Sequence, residues 1–115
     1  MPDILVLFAS KSDEDSYNQI LKILKKEKIS YDFKLASAHK TPDDVDSIIA
    51  SQDYKVVISG AGLAAALPGV IAAKTIRPVI GVPCKGNYEG LDALLSIVQM
   101  PPGIPVLSVG VLKAD

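Results

Sequence analysis

The feature that most restricts what this chain can fold into is an alternation between two hydrophobic periods. "DILVLFAS", near the start, is a continuous apolar run ending in small and hydroxyl residues, the pattern of a strand buried on both faces. "DEDSYNQILKILKKEK" follows, with Tyr17, Ile20, Leu21 and Leu24 at i, i+3, i+4 and i+7, acids at its start and lysines at its end. That spacing predicts a helix whose charges complement its macrodipole. The exchange then recurs: "YDFKLAS", "KVVISG", "RPVIGVP" and "IPVLSVGV" read as strands, and "TPDDVDSIIAS", "PGVIAAKT" and "EGLDALLSIVQ" as helices. In the second helix Thr41 reads as the N-cap, Pro42 as the first helical residue and Asp44 as the capping-box acid. Strands alternating with helices in this way predict βαβ units and a parallel sheet covered on both faces. The expected fold is therefore α/β, a three-layer, doubly wound, five-stranded parallel sheet with right-handed crossovers, formed by residues 1–115 as a single domain.

Composition narrows the function classes. A chain of 115 residues fits one domain and buries enough surface to need no disulfide or structural metal. A net charge of −1 gives no electrostatic case for nucleic acid or anionic membrane as partner. One cysteine, Cys84, and one histidine, His39, cannot form an internal disulfide or a tetrahedral zinc site, so a reducing cytoplasm is expected. No secretory leader is read at the start. Val56–Ala73 runs 18 residues without a charge, close to the length of a membrane span. Gly60, Gly62, Pro68 and Gly69 break that run, and a buried strand–turn–helix is the expected structure.

Doubly wound sheets bind ligands beyond the carboxyl ends of their strands, so the segments just after the strands carry the functional reading. After the first strand, "ASKSD" offers the Ser10 and Ser12 hydroxyls beside a helix N-terminus, which suits a phosphate, and Asp13 could accept from a ribose diol. Plain N-capping by Ser12 or Asp13 is the alternative. After the second strand, "SAHKTP" places His39 within two residues of Ser37 and Thr41 and beside Lys40. It is either a proton carrier or an ordinary loop histidine, and Lys40 could grip a phosphate or carboxylate. "GAGLAAALPG" after the third strand is small enough for close backbone approach to a ligand, a neighbouring subunit or a helix. "CKGNYEG" after the fourth is a polar loop of the kind that closes over a site. Cys84 reads as a strand-end hydrophobe rather than a nucleophile. No Walker lysine, dinucleotide fingerprint or acidic magnesium cluster is present in the sequence. Residue chemistry alone thus reaches a binder of a small phosphorylated molecule with one histidine available for proton transfer.

Four motifs, "SKSD", "SAHKTP", "GAGLAAALPG" with "PVIGVP", and "LDALLSIVQMPPGIPV", resemble those of the PurE family in order and spacing over nearly the whole chain. PurE enzymes act in de novo purine synthesis on aminoimidazole ribonucleotides. The resemblance implies a flavodoxin-like sheet, a symmetric homo-oligomer, often an octamer, and catalysis without metal or organic cofactor. Ser10, Ser12 and Asp13 match the family's nucleotide-binding residues. Ser37 and Ala38 match its substrate loop, with His39 at the catalytic position and Lys40 where bacterial mutases carry a phosphate-binding arginine and animal-type enzymes a lysine. Ala61, Gly62 and Leu67 match the wall over the imidazole and carboxylate. Ala9 stands in place of a family glycine, and Ala66 where mutases carry a second active-site histidine. The family's usual C-terminal helical extension has no counterpart within these residues, and an exposed sheet face would then favour association.

The expected activity is that of an N5-carboxyaminoimidazole ribonucleotide mutase, an isomerase shifting a carboxyl group from nitrogen to carbon with His39 carrying the proton. The alternatives are an aminoimidazole ribonucleotide carboxylase using carbon dioxide directly, a non-catalytic ribonucleotide-binding sensor or assembly partner, and an enzyme acting on another carboxylated heterocycle.

Overall fold

The apolar runs read as strands all enter one sheet. In the computed structural model, which describes residues 2–51 and 53–115, the strands are β1 (Ile4–Phe8), β2 (Tyr31–Leu35), β3 (Val56–Ala61), β4 (Val79–Pro83) and β5 (Leu107–Ser108). The helices are α1 (Glu14–Lys26), α2 (Pro42–Ser51), α3 (Leu67–Ala72) and α4 (Leu91–Val98), and a 3₁₀ turn at Lys11–Asp13 leads into α1. The strands are all parallel, in the order β2-β1-β3-β4-β5, which is the flavodoxin-like doubly wound order. β1 lies at the reversal of strand order, with Ile4 paired to both Tyr31 and Val56.

Each face of the sheet has its own core. Leu5, Leu7, Val57 and Val79 pack with Val45 of α2, Leu67 and Ile71 of α3, and Ala93 and Ile97 of α4. On the other face Val6, Phe8 and Val82 meet Tyr17, Ile20 and Leu24 of α1, with Val109 and Ala114 alongside. The i, i+3, i+7 spacing read in the first helix is therefore the buried stripe of α1. Tyr17 is fixed by an edge-to-face contact with Phe8, ring centroids 5.5 Å apart, and by Phe33 at 4.6 Å. This seats the start of α1, and the loop before it, on the carboxyl end of β1.

Three local expectations are corrected. Capping before α1 falls to Ser10, whose hydroxyl accepts from Ser12 N–H at 3.2 Å, whereas Asp13 makes no side-chain cap bond. The extra 3₁₀ turn moves the cap upstream. Thr41 precedes α2, but its hydroxyl turns back to the Ser37 backbone and its own N–H donates to Ser37 C=O at 2.9 Å. That N–H is the group a capping box would require, so Asp44 has no capping-box role. β5 is only Leu107–Ser108, shorter than "IPVLSVGV", because Pro105 carries no N–H and the chain turns at 110–113 to bring Leu112 N–H to Pro83 C=O. None of the described helices is long and apolar enough to cross a membrane.

Candidate active site

Four strand-end segments meet in one cleft of about 650 Å³ at the carboxyl edge of the sheet. It lies over β1 and β3, where the strand order reverses and the adjoining loops diverge. All ten residues singled out in the sequence line it: Ser10, Ser12, Asp13, Ser37, Ala38, His39, Lys40, Ala61, Gly62 and Leu67.

The β1–α1 segment is a small hydroxyl cluster. Ser10 Oγ and Ser12 Oγ lie 2.9 Å apart. One hydroxyl hydrogen bridges the pair, which leaves the other free to reach a ligand. Asp13 follows, half-buried, and burial pushes its carboxyl above the usual range, with the Cys84 thiol opposing the shift. Cys84 itself is buried. Loss of solvent pushes its thiol up to about 12, and the nearby Asp13 charge adds to that. A thiol held in this way has almost no thiolate at neutral pH. It is a packed support beneath Asp13, in keeping with the reading of a strand-end hydrophobe.

The β2–α2 segment is a turn that bonds to itself. Ser37 N–H donates to Thr41 Oγ1 at 2.8 Å, and Lys40 N–H donates to Ser37 Oγ at 3.1 Å. These bonds fix the path of Ala38–Lys40 and leave His39 and Lys40 exposed at the mouth of the cleft. The charged groups on the lining are Asp13, Lys40 and Lys85, with the His39 imidazole also on the lining. Two lysines against one carboxylate suit an anion, in a chain whose net charge is slightly negative.

The small-residue segment serves its own chain first. A Cβ at Gly60 would meet the Phe8 ring at 2.2 Å, and one at Gly62 would meet the Lys85 carbonyl oxygen at 2.2 Å. These glycines let β3 and its loop close against neighbouring elements of the sheet. Sequence reasoning left Lys85, Gly86, Asn87, Leu63 and Ala64 off the candidate list, though all line the cleft. The first three lie in "CKGNYEG", whose polar, glycine-containing character was the available signal. Ala64 lies in "GAGLAAALPG", singled out for its small residues, and Leu63 carries no signal of its own. Ala66 also lines the cleft, so a small methyl occupies the position that the PurE resemblance associates with a histidine.

A doubly wound parallel sheet with a hydroxyl-rich, lysine-bearing cleft at its reversal point defines a class by architecture: flavodoxin-like α/β proteins whose switch-point cleft lacks a dinucleotide glycine fingerprint. Within that class, the model of the AIR carboxylase family matches residues 3–115, and the chain belongs to this family. An N5-carboxyaminoimidazole ribonucleotide mutase of Methanocaldococcus jannaschii is 47% identical over 112 residues, covering 97% of this chain and 71% of the relative. A protein of the same name from Pyrococcus abyssi is 46% identical, covering 96% of this chain and 66% of its own length. The crystal structure of Treponema denticola PurE superposes with a TM-score of 0.83 at 29% identity, over 96% of this chain and 72% of that one.

Proposed function

We propose that this protein is an N5-carboxyaminoimidazole ribonucleotide mutase of purine biosynthesis. The observation that carries the proposal is the meeting of Ser10, Ser12, Asp13, His39 and Lys40 in one cleft of a chain that belongs to the AIR carboxylase family. Ser10, Ser12 and Lys40 take the phosphate and Asp13 the ribose, with Ser37 and Ala38 against the substrate. Ala61, Gly62 and Leu67 wall the heterocycle and its carboxylate. In the reaction the nitrogen–carboxyl bond breaks, its electron pair returns to nitrogen, and nitrogen takes a proton. The imidazole carbon then attacks the trapped carbon dioxide and releases its own proton. One proton is taken and one is given, so a single carrier, His39, closes the cycle. No cofactor enters this scheme. A reducing cytoplasm suits the free Cys84 thiol. A homo-oligomer, with an octamer as the family's usual form, accounts for the apolar face that α4 exposes.

The test is turnover by the purified full chain, with decarboxylation and mutase conversion followed separately. His39→Asn is expected to lower turnover by about 100-fold or more while ribonucleotide binding persists, as for loss of a general acid–base group. Turnover unaffected by His39→Asn would refute the assignment. Ala66 favours a second reading, a ribonucleotide-binding sensor or assembly partner, whose signature is binding by the wild type without turnover. Lys40 favours direct carboxylation by carbon dioxide, which would appear as dependence on added bicarbonate with the amino substrate.

A further inference from the structure

Asp92, in the first turn of α4, lies under the loop that closes one side of the cleft. Asn87 N–H donates to Asp92 Oδ2 at 3.3 Å. Asp92 Oδ1 is shut off from solvent and has no hydrogen-bond partner among the described residues. Gly86 passes so close above it that a Cβ there would stand 2.2 Å from Oδ1. On the other side of the same loop, the Lys85 carbonyl presses on Gly62, where a Cβ would stand 2.2 Å from the oxygen. The segment Lys85–Asn87 is thus held between a backbone contact at Gly62 that only glycine permits and the close approach of Gly86 to the Asp92 carboxylate. Little else holds it. Lys85, Asn87, Tyr88 and Glu89 are all exposed, and Glu89 takes a left-handed backbone at φ 57°. An enclosed carboxylate oxygen without a donor is costly, and this one persists where the site wall rests on it.

We propose that Asp92 is a positioning residue for the proposed reaction: it holds the Lys85–Asn87 wall against the cleft so that the wall meets the bound ribonucleotide in one fixed conformation. The inference rests on reading the cleft as a ribonucleotide site. Asp92 itself touches no substrate. It acts through the Asn87 amide and the Gly86 backbone.

Three variants of the full chain test this. Asp92→Ala removes the acceptor for the Asn87 amide and is expected to raise KM about ten-fold or more, as for a lost hydrogen bond to a charged acceptor. kcat changes far less, because His39 belongs to another loop. Asp92→Asn keeps an oxygen that can accept from Asn87 and is expected to recover most of the loss. Gly86→Ala drives a methyl into Asp92 and also raises KM, but adds nothing on top of Asp92→Ala, which leaves room for it. A merely structural role would lower kcat and thermal midpoint together and leave KM unmoved. KM of Asp92→Ala within about two-fold of wild type, or independent multiplying effects of Asp92→Ala and Gly86→Ala, overturns the proposal. If the wild type turns over no ribonucleotide, the functional reading fails on its own, and amide exchange at Asn87 decides for the clamp. Slow exchange in wild type and Asp92→Asn with fast exchange in Asp92→Ala supports it, and equal rates overturn it.

Discussion

Asp13 is where binding and stability pull against each other. Its carboxyl is half-buried for reach into the cleft, and burial raises its pKa. An acid whose native pKa exceeds its unfolded value, about 3.9 for aspartate, binds the extra proton in the native state. The stabilisation is therefore complete below the unfolded value and is lost as pH rises towards the raised native one. Asp13→Asn removes this dependence. In the ligand-free protein the variant is expected to be the more stable of the two near neutral pH, with the difference shrinking as pH falls towards about 4. Urea midpoints across that range measure it, and ribonucleotide affinity should fall in the same variant. Leu63 raises a related point. It holds a left-handed backbone at φ 55° while its side chain is 54% exposed on the cleft wall. Such a conformation costs a non-glycine residue about 1–2 kcal/mol, so Leu63→Gly is expected to raise the urea midpoint while thinning the wall. The two residues also mark what the sequence made readable. Asp13, His39 and the serines carry chemistry in their side chains and follow strands, so a parallel-sheet rule found them. Nothing in a leucine announces a left-handed turn, and Leu63 went unread.

At the scale of elements, the local patterns carried the fold wherever a single stripe or run decided it. The buried residues of α1 are those of its 3.6-residue period, and β1, β3 and β4 are rich in apolar residues because α2, α3 and α4 cover one face of the sheet while α1 packs on the other, where Ile58 and Ile80 stay partly exposed. The misread places are those where a partner outside the element decides. Thr41 resembles a cap in sequence, yet its hydroxyl is taken by Ser37 four residues earlier. β5 looks like a longer strand, yet only Leu107 and Ser108 meet β4 in register. β3 shows the same dependence. Gly60 yields its Cβ space to the Phe8 ring across the ladder, so Gly60→Ala is expected to destabilise by about 1–3 kcal/mol through overpacking. Ser59, one residue earlier, is fully buried and its hydroxyl has no partner among the described residues. Ser59→Ala removes an unsatisfied group of nearly the same size and is expected to stabilise by about 1 kcal/mol. Opposite signs at adjacent positions of one strand, read from paired urea titrations, are the outcome that this packing requires.

For the whole molecule, α4 is the element whose surroundings least match its composition. Its inner face, Ala93 and Ile97, is buried on the sheet, while Leu91, Leu95 and Val98 are 52%, 46% and 43% exposed. These three lie at i, i+4 and i+7 and so form a second apolar stripe on the outer face. A helix that is apolar on both sides is stable in water when something covers the second side, and a further copy of the chain is the partner that the proposed homo-oligomer supplies. Leu95→Lys places a charge at the centre of that stripe. It is expected to lower the mass measured by light scattering towards that of one chain, with far-ultraviolet dichroism unchanged because the inner face is untouched. α4 also begins directly after the loop that Asp92 holds, so the proposed association surface and the site wall share one rigid element. Loss of the oligomer is therefore expected to raise KM as well, and the rise should follow protein concentration in the wild type on dilution. A wild-type chain that is already monomeric at high concentration, or a Leu95→Lys variant that keeps the wild-type mass, would remove the outer face of α4 from the assembly.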